Sequence, residues 1–325
     1  MNFKKLKALY FKELNYSKKN LAFINDFLKI KYIDKSHNKI KFDKETNVLF
    51  TTPNFILSKF EIEKMPELMS VVSNTTGESH IDVEYCKKKN IKVFSLLNEQ
   101  KFLSSITPTS EYTIGLMICL LRNIIPAFDH VKLGKWSRWN FGSALMLSKM
   151  TIGIIGLGRI GKKVARVCEA FGMKIVYHDL KKKNTKFKYY KTLNSLCSVC
   201  DIISLHVPYT SITKNLLGET FFNNVKIKKP YIINTARGEI ICEKSLLKAL
   251  KNNYISGAAL DVMSSEFSSH FQKSKEKKEL IKLSKKKKNL IITPHIAGST
   301  KDAWHLTQER VIRKCFKYLK TINAI

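Results

Sequence analysis

Residues 151–161 read Thr-Ile-Gly-Ile-Ile-Gly-Leu-Gly-Arg-Ile-Gly, an apolar strand running directly into a glycine-rich turn and the start of a helix. No other stretch limits the fold so tightly. Gly156 permits the tight turn and Gly158 lets a pyrophosphate approach the backbone. Gly161 lets the helix lie close to the strand, and the free N–H groups of the helix start favour an anion. A helix over 162–170 and a second strand over 174–178 are expected next, and that strand ends in Asp179. Asp179 stands 18 residues past Gly161, near the spacing of about 20 at which a carboxylate accepts from the adenosine ribose hydroxyls. The arrangement predicts a dinucleotide-binding βαβ unit. The acid favours NAD as cofactor, because it would repel a 2′-phosphate. Lys181, Lys182 and Lys183 are the feature that could grip such a phosphate, and in so lysine-rich a chain they read as a solvated charge run.

Short apolar runs alternate with helix-length segments almost from end to end, which predicts parallel sheets built from βαβ units. The first sheet is expected to include 47–51, 68–73 and 91–94, with a helix over 81–89. The second begins at 151 and continues through 175–178, 202–207, 231–234, 255–261 and 290–293. An apolar helix over 110–123 reads as a spine between them, and the lysine-rich stretch 273–288 as an exposed helix or loop.

At 325 residues, with 44% hydrophobic and 26% charged residues, the chain has the composition of a two-domain globular protein. Its formal net charge of +32 raises the question of an anionic macromolecule as partner. Only seven of the 58 basic residues are Arg, however, and the lysines are spread over the whole length, which reads as compositional bias. No nucleic-acid or membrane partner is expected. The apolar run 114–121 falls short of the roughly 20 residues a spanning helix needs, and Lys4, Lys5, Lys7 and Lys12 interrupt the start of the chain, so a cytoplasmic location is expected. The seven cysteines do not suggest a disulfide framework. Cys197 and Cys200 form a lone CxxC that reads as helix packing, and no metal site is expected.

In an open parallel sheet, ligands sit beyond the carboxyl ends of the strands. Three such ends carry reactive side chains: Arg237 after 231–233, Asp261 and Glu266 after 255–260, and His295 after 290–292. Singly, each has an ordinary reading as a solvated or structural residue. Together, a guanidinium, a carboxylate and an imidazole suit hydride exchange with a 2-hydroxy acid. Arg237 would clamp the substrate carboxylate through its planar fork, and His295 would carry the hydroxyl proton. Glu266 would bond the other ring nitrogen and stabilise the imidazolium.

The order of these segments resembles the D-isomer-specific 2-hydroxyacid dehydrogenases over about residues 71–308. The resemblance rests on Gly-Leu-Gly-Arg-Ile-Gly with Asp179, Ser-Leu-His-Val-Pro at 204–208, Asn-Thr-Ala-Arg-Gly-Glu at 234–239, Ala-Leu-Asp-Val at 259–262 and Thr-Pro-His-Ile-Ala-Gly at 293–298. It implies Arg237, Glu266 and His295 as the catalytic trio. Around NAD it implies Arg159, Ile160, Asp179, Val207, Pro208, Thr213, Thr235, Ala236, Asp261 and Gly298, beside the glycines. It further implies that Thr75, Thr76 and Gly77 present backbone N–H groups to the substrate carboxylate. The fold implied is two doubly wound parallel-sheet α/β domains. The larger is a Rossmann domain over 108–296, inserted into a flavodoxin-like substrate domain of 1–107 completed by 297–325. A homodimer is implied as well.

Two departures from the family pattern stand out. Phe267 follows Glu266 where a proline is usual, and the lysine-rich segment lengthens the interval to His295. The segment 98–108 also reads as longer than in common members. The alternative function is a dinucleotide-sensing binding protein, like the corepressor-type member of the same family. A narrower one is 3-phosphoglycerate dehydrogenase, although residues 71–108 contain no Arg to mark a phosphorylated substrate.

Overall fold

The computed structural model describes residues 5–34, 40–142, 144–268 and 271–325. The chain divides into two compact units, Met1–Ile106 with Thr300–Ile325, and Thr107–Ser299. The second crossing falls after Ser299 and not after 296. Thr300 is the N-cap of the last helix, its side chain accepting from the Ala303 N–H, so the returning element starts there.

The first unit runs β1 (Leu6–Phe11), α1 (Lys18–Phe27), β2 (Leu28–Ile33), β3 (Thr46–Phe50), α2 (Lys59–Ile62), β4 (Ser70–Val72), α3 (Val83–Lys88), β5 (Lys92–Phe94) and α4 (Gln100–Leu103). Its sheet has the order β2-β1-β3-β4-β5 among the described residues, with every pairing parallel. That order is the flavodoxin-like one. β1 and β2 lie outside the strands expected from sequence, because Lys7, Lys29 and Lys31 interrupt their apolar runs. Alternation rescues them: Ala8 and Tyr10 enter one core with Val48 and Phe50, while Leu9 and Phe11 enter the opposite one with Leu49 and Leu57.

The second unit runs α5 (Pro108–Leu121), α6 (Ile124–Lys132), β6 (Thr151–Ile155), α7 (Arg159–Ala170), β7 (Lys174–His178), β8 (Lys188–Tyr189), α8 (Leu193–Cys197), β9 (Ile202–Leu205), α9 (Glu219–Val225), β10 (Tyr231–Asn234), α10 (Glu243–Lys251), β11 (Gly257–Leu260), α11 (Lys275–Lys286) and β12 (Leu290–Ile292). The chain then returns to the first unit as α12 (Lys301–Thr321), whose Val311, Ile312 and Cys315 complete a core there. The second sheet has the parallel order β12-β11-β10-β9-β6-β7-β8. The winding reverses between β6 and β9, and such a switch point leaves a crevice at the strand ends.

One face of this sheet is covered by α5, whose Ile114, Met117, Leu120 and Leu121 pack with Ile152, Ile154, Ile233 and Ala259. Each such side chain contributes on the order of 2 kcal/mol when buried. On the other face, Cys197 and Cys200 are buried with Leu196, Ile203 and Phe222, and burial pushes both thiols up. The CxxC is thus core packing.

The lysine-rich stretch forms α11, but it is not wholly exposed. Leu280 and Lys277 are buried, the latter with its Nζ 3.8 Å from Glu243 on α10. No single helix among the described residues is long and apolar enough to cross a membrane.

Candidate active site

The glycine-rich turn leaves β6 with Gly156 at φ +92°, where an added Cβ would strike the His206 carbonyl at 2.9 Å. Gly161 is needed for a different reason. A Cβ there would lie 2.3 Å from the Gly156 oxygen, so only glycine lets α7 pack on the turn. Beside Gly158 nothing lies within 4 Å of an added Cβ. That open space at the start of α7, next to Arg159 and Ile160, fits the approach of an anionic pyrophosphate.

At the tip of β7, Asp179 accepts from the Leu157 N–H through Oδ2 at 3.0 Å, which ties the acid to the turn. Its Oδ1 lies 3.4 Å from Lys183 Nζ. Past β9, Val207 lies against Gly156. Pro208 and Thr213 share one turn, in which the Thr213 hydroxyl donates to the Pro208 carbonyl at 2.6 Å. His206 is desolvated among these strand ends and held well below the ordinary histidine range, with Ser204 Oγ 2.9 Å from its Nε2.

His295 occupies the left-handed region at φ 55°, as does Ser265 at φ 50° in the turn that carries Glu266. Such a conformation costs a non-glycine residue about 1–2 kcal/mol, so the surroundings must impose it. Asp261 does much of this. Its buried carboxylate accepts from Thr293 Oγ1 at 2.6 Å, Ile296 N at 3.0 Å and Ala297 N at 2.8 Å. Its carbonyl accepts from His295 N at 2.7 Å. Charge-assisted bonds of this kind contribute about 1.5–3 kcal/mol each. The Asp261 side chain, expected beside the cofactor, is buried and accepts three hydrogen bonds that shape the histidine turn.

The imidazole Nδ1 meets Glu266 Oε1 at 2.5 Å, while Glu266 Oε2 accepts from Met263 N at 3.1 Å. The missing proline and the lengthened interval do not separate the pair. Phe267 instead lays its ring beside the His295 ring, centroids 5.5 Å apart at 31°. His295 keeps 30% of its side chain exposed against 16% for Glu266, so Nε2 is the nitrogen left to face a ligand.

Sequence reading missed what holds the Glu266 turn. Three consecutive amides are each taken by a carboxylate: Met263 N by Glu266, Ser264 N by Glu243 at 2.8 Å, and Ser265 N by Glu239 at 2.9 Å. Burial pushes Glu243 up, partly offset by the Ser264 N–H and Lys277. Gly238 packs on the same turn, where an added Cβ would fall 1.9 Å from the Met263 carbonyl carbon. That contact sets Arg237, the preceding residue, next to the Glu266 turn.

Asn234 braces the arginine loop from below, accepting from Ala236 N and donating to Arg237 O, both at 3.0 Å. The Thr235 hydroxyl is bonded to Thr113 on α5 at 2.7 Å. Gly298 follows the histidine turn, with Thr109 Oγ1 3.7 Å from an added Cβ. Of these braces, Asn234, Thr235, Glu239, Asp261 and Gly298 lie within quoted sequence motifs, whereas Thr113 and Glu243 carried no such signal.

In the first unit, Thr75, Thr76 and Gly77 form a loop after β4. Thr75 Oγ1 donates to the Gly77 carbonyl at 2.7 Å, and Ser73 Oγ lies 2.9 Å from Thr75 Oγ1 and 3.1 Å from His80 Nε2. His80 is buried, and desolvation pushes it down to about 4. A neutral ring with its proton on Nε2 satisfies the chain of donors, His80 to Ser73 to Thr75 to Gly77.

Residues 114–297 match the family model described as D-isomer specific 2-hydroxyacid dehydrogenase, NAD binding domain. The chain belongs to the D-isomer specific 2-hydroxyacid dehydrogenase family. It is accordingly an NAD-dependent oxidoreductase acting on CH–OH, with the family's Rossmann domain. Among similar relatives, a glyoxylate reductase of Thermococcus litoralis is 32% identical over 289 residues, which cover 85% of this chain and 82% of that protein. A D-3-phosphoglycerate dehydrogenase of Methanocaldococcus jannaschii is 35% identical over 265 residues, 80% of this chain but 47% of the relative. A solved D-lactate dehydrogenase from Aquifex aeolicus, complexed with NAD and lactic acid, aligns with TM-score 0.79 and 28% identity over 98% of this chain and 97% of that one. This dehydrogenase therefore shares its whole two-unit architecture with the family.

Proposed function

We propose that this dehydrogenase exchanges a hydride between NAD(H) and C2 of a D-2-hydroxy acid or its 2-keto partner. The observation that carries the reading is the 2.5 Å bond between His295 Nδ1 and Glu266. It leaves Nε2 to give a proton to the substrate oxygen in reduction and to take it back in oxidation. Glu266 stabilises the imidazolium between these steps. Arg237 binds the substrate carboxylate and polarises the C2 oxygen, the task its fork of donors suits best. The substrate carboxylate also accepts from the backbone of Thr75, Thr76 and Gly77.

When bound, the cofactor supplies or accepts the hydride. Gly156, Gly158, Arg159, Ile160 and Gly161 hold its pyrophosphate, and Asp179 its ribose hydroxyls, so NAD is preferred. Val207, Pro208, Thr213, Thr235, Ala236, Asp261 and Gly298 line the remainder. Residues 1–106 with α12 serve as the substrate domain. The protein works as a homodimer, a reading supported by the apolar surface around α6, where Phe128, Trp136 and Trp139 stand 63%, 90% and 84% exposed.

A panel of 2-keto acids, followed by loss of NADH absorbance, tests the reading. Turnover of at least one is expected, and activity on none across the panel would overturn it. Sedimentation should give twice the chain mass, and a monomer would remove the dimer.

A further inference from the structure

Lys277 differs from the exposed lysines around it on α11. Its side chain is 8% exposed, and its Nζ lies 3.8 Å from Oε2 of Glu243, a side chain 12% exposed. The ammonium also stands over the Phe271 ring, 5.2 Å from the centroid. A buried ion pair adds little stability over apolar residues of the same volume, so the packing of α11 on α10 does not by itself call for one.

The other oxygen of Glu243 holds the turn that carries Glu266. Glu243 Oε1 accepts from Ser264 N at 2.8 Å, between the bond of Glu266 to Met263 N and that of Glu239 to Ser265 N. Ser265 stays at φ 50° in this grip, a conformation that a weaker hold would release. An ionised carboxylate grips an amide about twice as strongly as a neutral acceptor. Burial pushes the Glu243 carboxyl up, as does the Glu239 charge, while the Ser264 N–H and Lys277 bring it down. The positive charge in that balance comes from Lys277.

We propose that Lys277 is a positioning residue for the proton-transfer pair: by countering the Glu243 charge, it holds the 263–266 turn in the shape that brings Glu266 to His295. The lysine-rich segment that lengthens the chain between the two residues thereby supports their contact. The proposal rests on reading Glu266 and His295 as that pair.

Steady-state reduction of a 2-keto acid that the wild type turns over tests it between pH 6 and pH 9. The readout is the ratio of variant to wild-type kcat, in which steps common to both enzymes cancel. Lys277→Met removes the charge and keeps the bulk. Its ratio should be about one fifth at pH 6, where Glu243 takes up a proton without its partner, and should climb to within about twofold of wild type by pH 9. KM should stay within about twofold throughout, because the turn is held away from the substrate carboxylate. Lys277→Arg should restore a flat ratio near one, and Lys278→Met, at an exposed position of the same helix, should leave kcat unchanged. In a Glu243→Gln background, which has nothing to ionise, adding Lys277→Met should bring no pH dependence.

A Lys277→Met ratio that is flat with pH, or one that slopes equally in the Glu243→Gln background, would overturn the role of Lys277. If Lys277→Met does not fold, Lys277→Gln carries the same test. Amide hydrogen exchange reads the turn without turnover: in the variant, protection at Ser264 should fall at pH 6 while that of Ala259 on β11 holds. Equal losses at both would show that Lys277 only stabilises the fold. Full activity in Glu266→Gln would instead overturn the reading of the pair beneath the proposal.

Discussion

His80 and His295 each stand in a loop proposed to face the substrate, and the two loops treat the same side chain in opposite ways. His80 is buried, bonded to the Ser73 hydroxyl and pushed down to about 4 by desolvation. It is a neutral brace for the loop of Thr75, Thr76 and Gly77. His295 is partly exposed, bonded to the Glu266 carboxylate and held at a left-handed φ of 55°. A hydroxyl partner in a dry site leaves no counter-charge for an imidazolium, whereas a carboxylate at an open site supplies one. The partner and the exposure, more than the residue type, separate a proton carrier from a brace.

The sharpest test of this contrast is His295→Ala. Turnover in both directions should fall by about three orders of magnitude, within the usual range for a general acid–base, while nicotinamide binding survives. Activity within tenfold of wild type would place the proton chemistry elsewhere. Arg237→Lys comes next, with an expected loss on the order of a hundredfold, because a point charge does not reproduce the fork of donors proposed to hold the substrate. Near-normal turnover would remove Arg237 from the mechanism.

Glu266→Gln should cost about tenfold in turnover, because an amide replaces the carboxylate that orients the ring through Nδ1. Full activity in that variant would mean that the carboxylate does not support the ring.

The smallest effect tests the brace. Folded His80 titrates at about 4, whereas an unfolded histidine titrates near ~6.5, so the unfolded chain takes up the proton first. Its contribution is whole above about pH 6.5 and is lost as pH falls towards 4. By pH 5 the loss should reach about 2 kcal/mol. Denaturation of wild type and His80→Gln at pH 7 and pH 5 measures it: the variant should lose less than the wild type over that interval. Equal losses would show that His80 is not the titrating brace.

Much of this molecule was readable in the chain. The strands at 174–178 and 231–234 fall where their apolar runs predict, and Arg237, Glu266 and His295 lie at the strand ends where such chemistry collects. β1 and β2 were harder, because their lysines point out on alternate positions and dilute the run that marks a buried strand. The lysine-rich segment read as exposed, yet α11 buries Lys277 against Glu243, a contact set by the packing of α11 on α10.

What the sequence determined by itself is the cofactor half. Gly156, Gly158, Gly161 and Asp179 lie within one βαβ unit, where backbone sterics and strand–turn–helix geometry place each residue with little help from the rest of the chain. The tertiary structure alone decided the pair proposed for proton transfer and the setting of Asp179, the proposed ribose acid. Whether Glu266 reaches His295 across 29 residues and an inserted helix depends on the register of β11 beside β12 and on the turns held by Asp261, Glu239 and Glu243. Whether Lys183 is a solvated charge or a partner of Asp179 depends on the Tyr177 hydroxyl that holds its main chain. Side-chain distances at this scale follow from packing between elements, and composition and spacing along the chain do not carry that information.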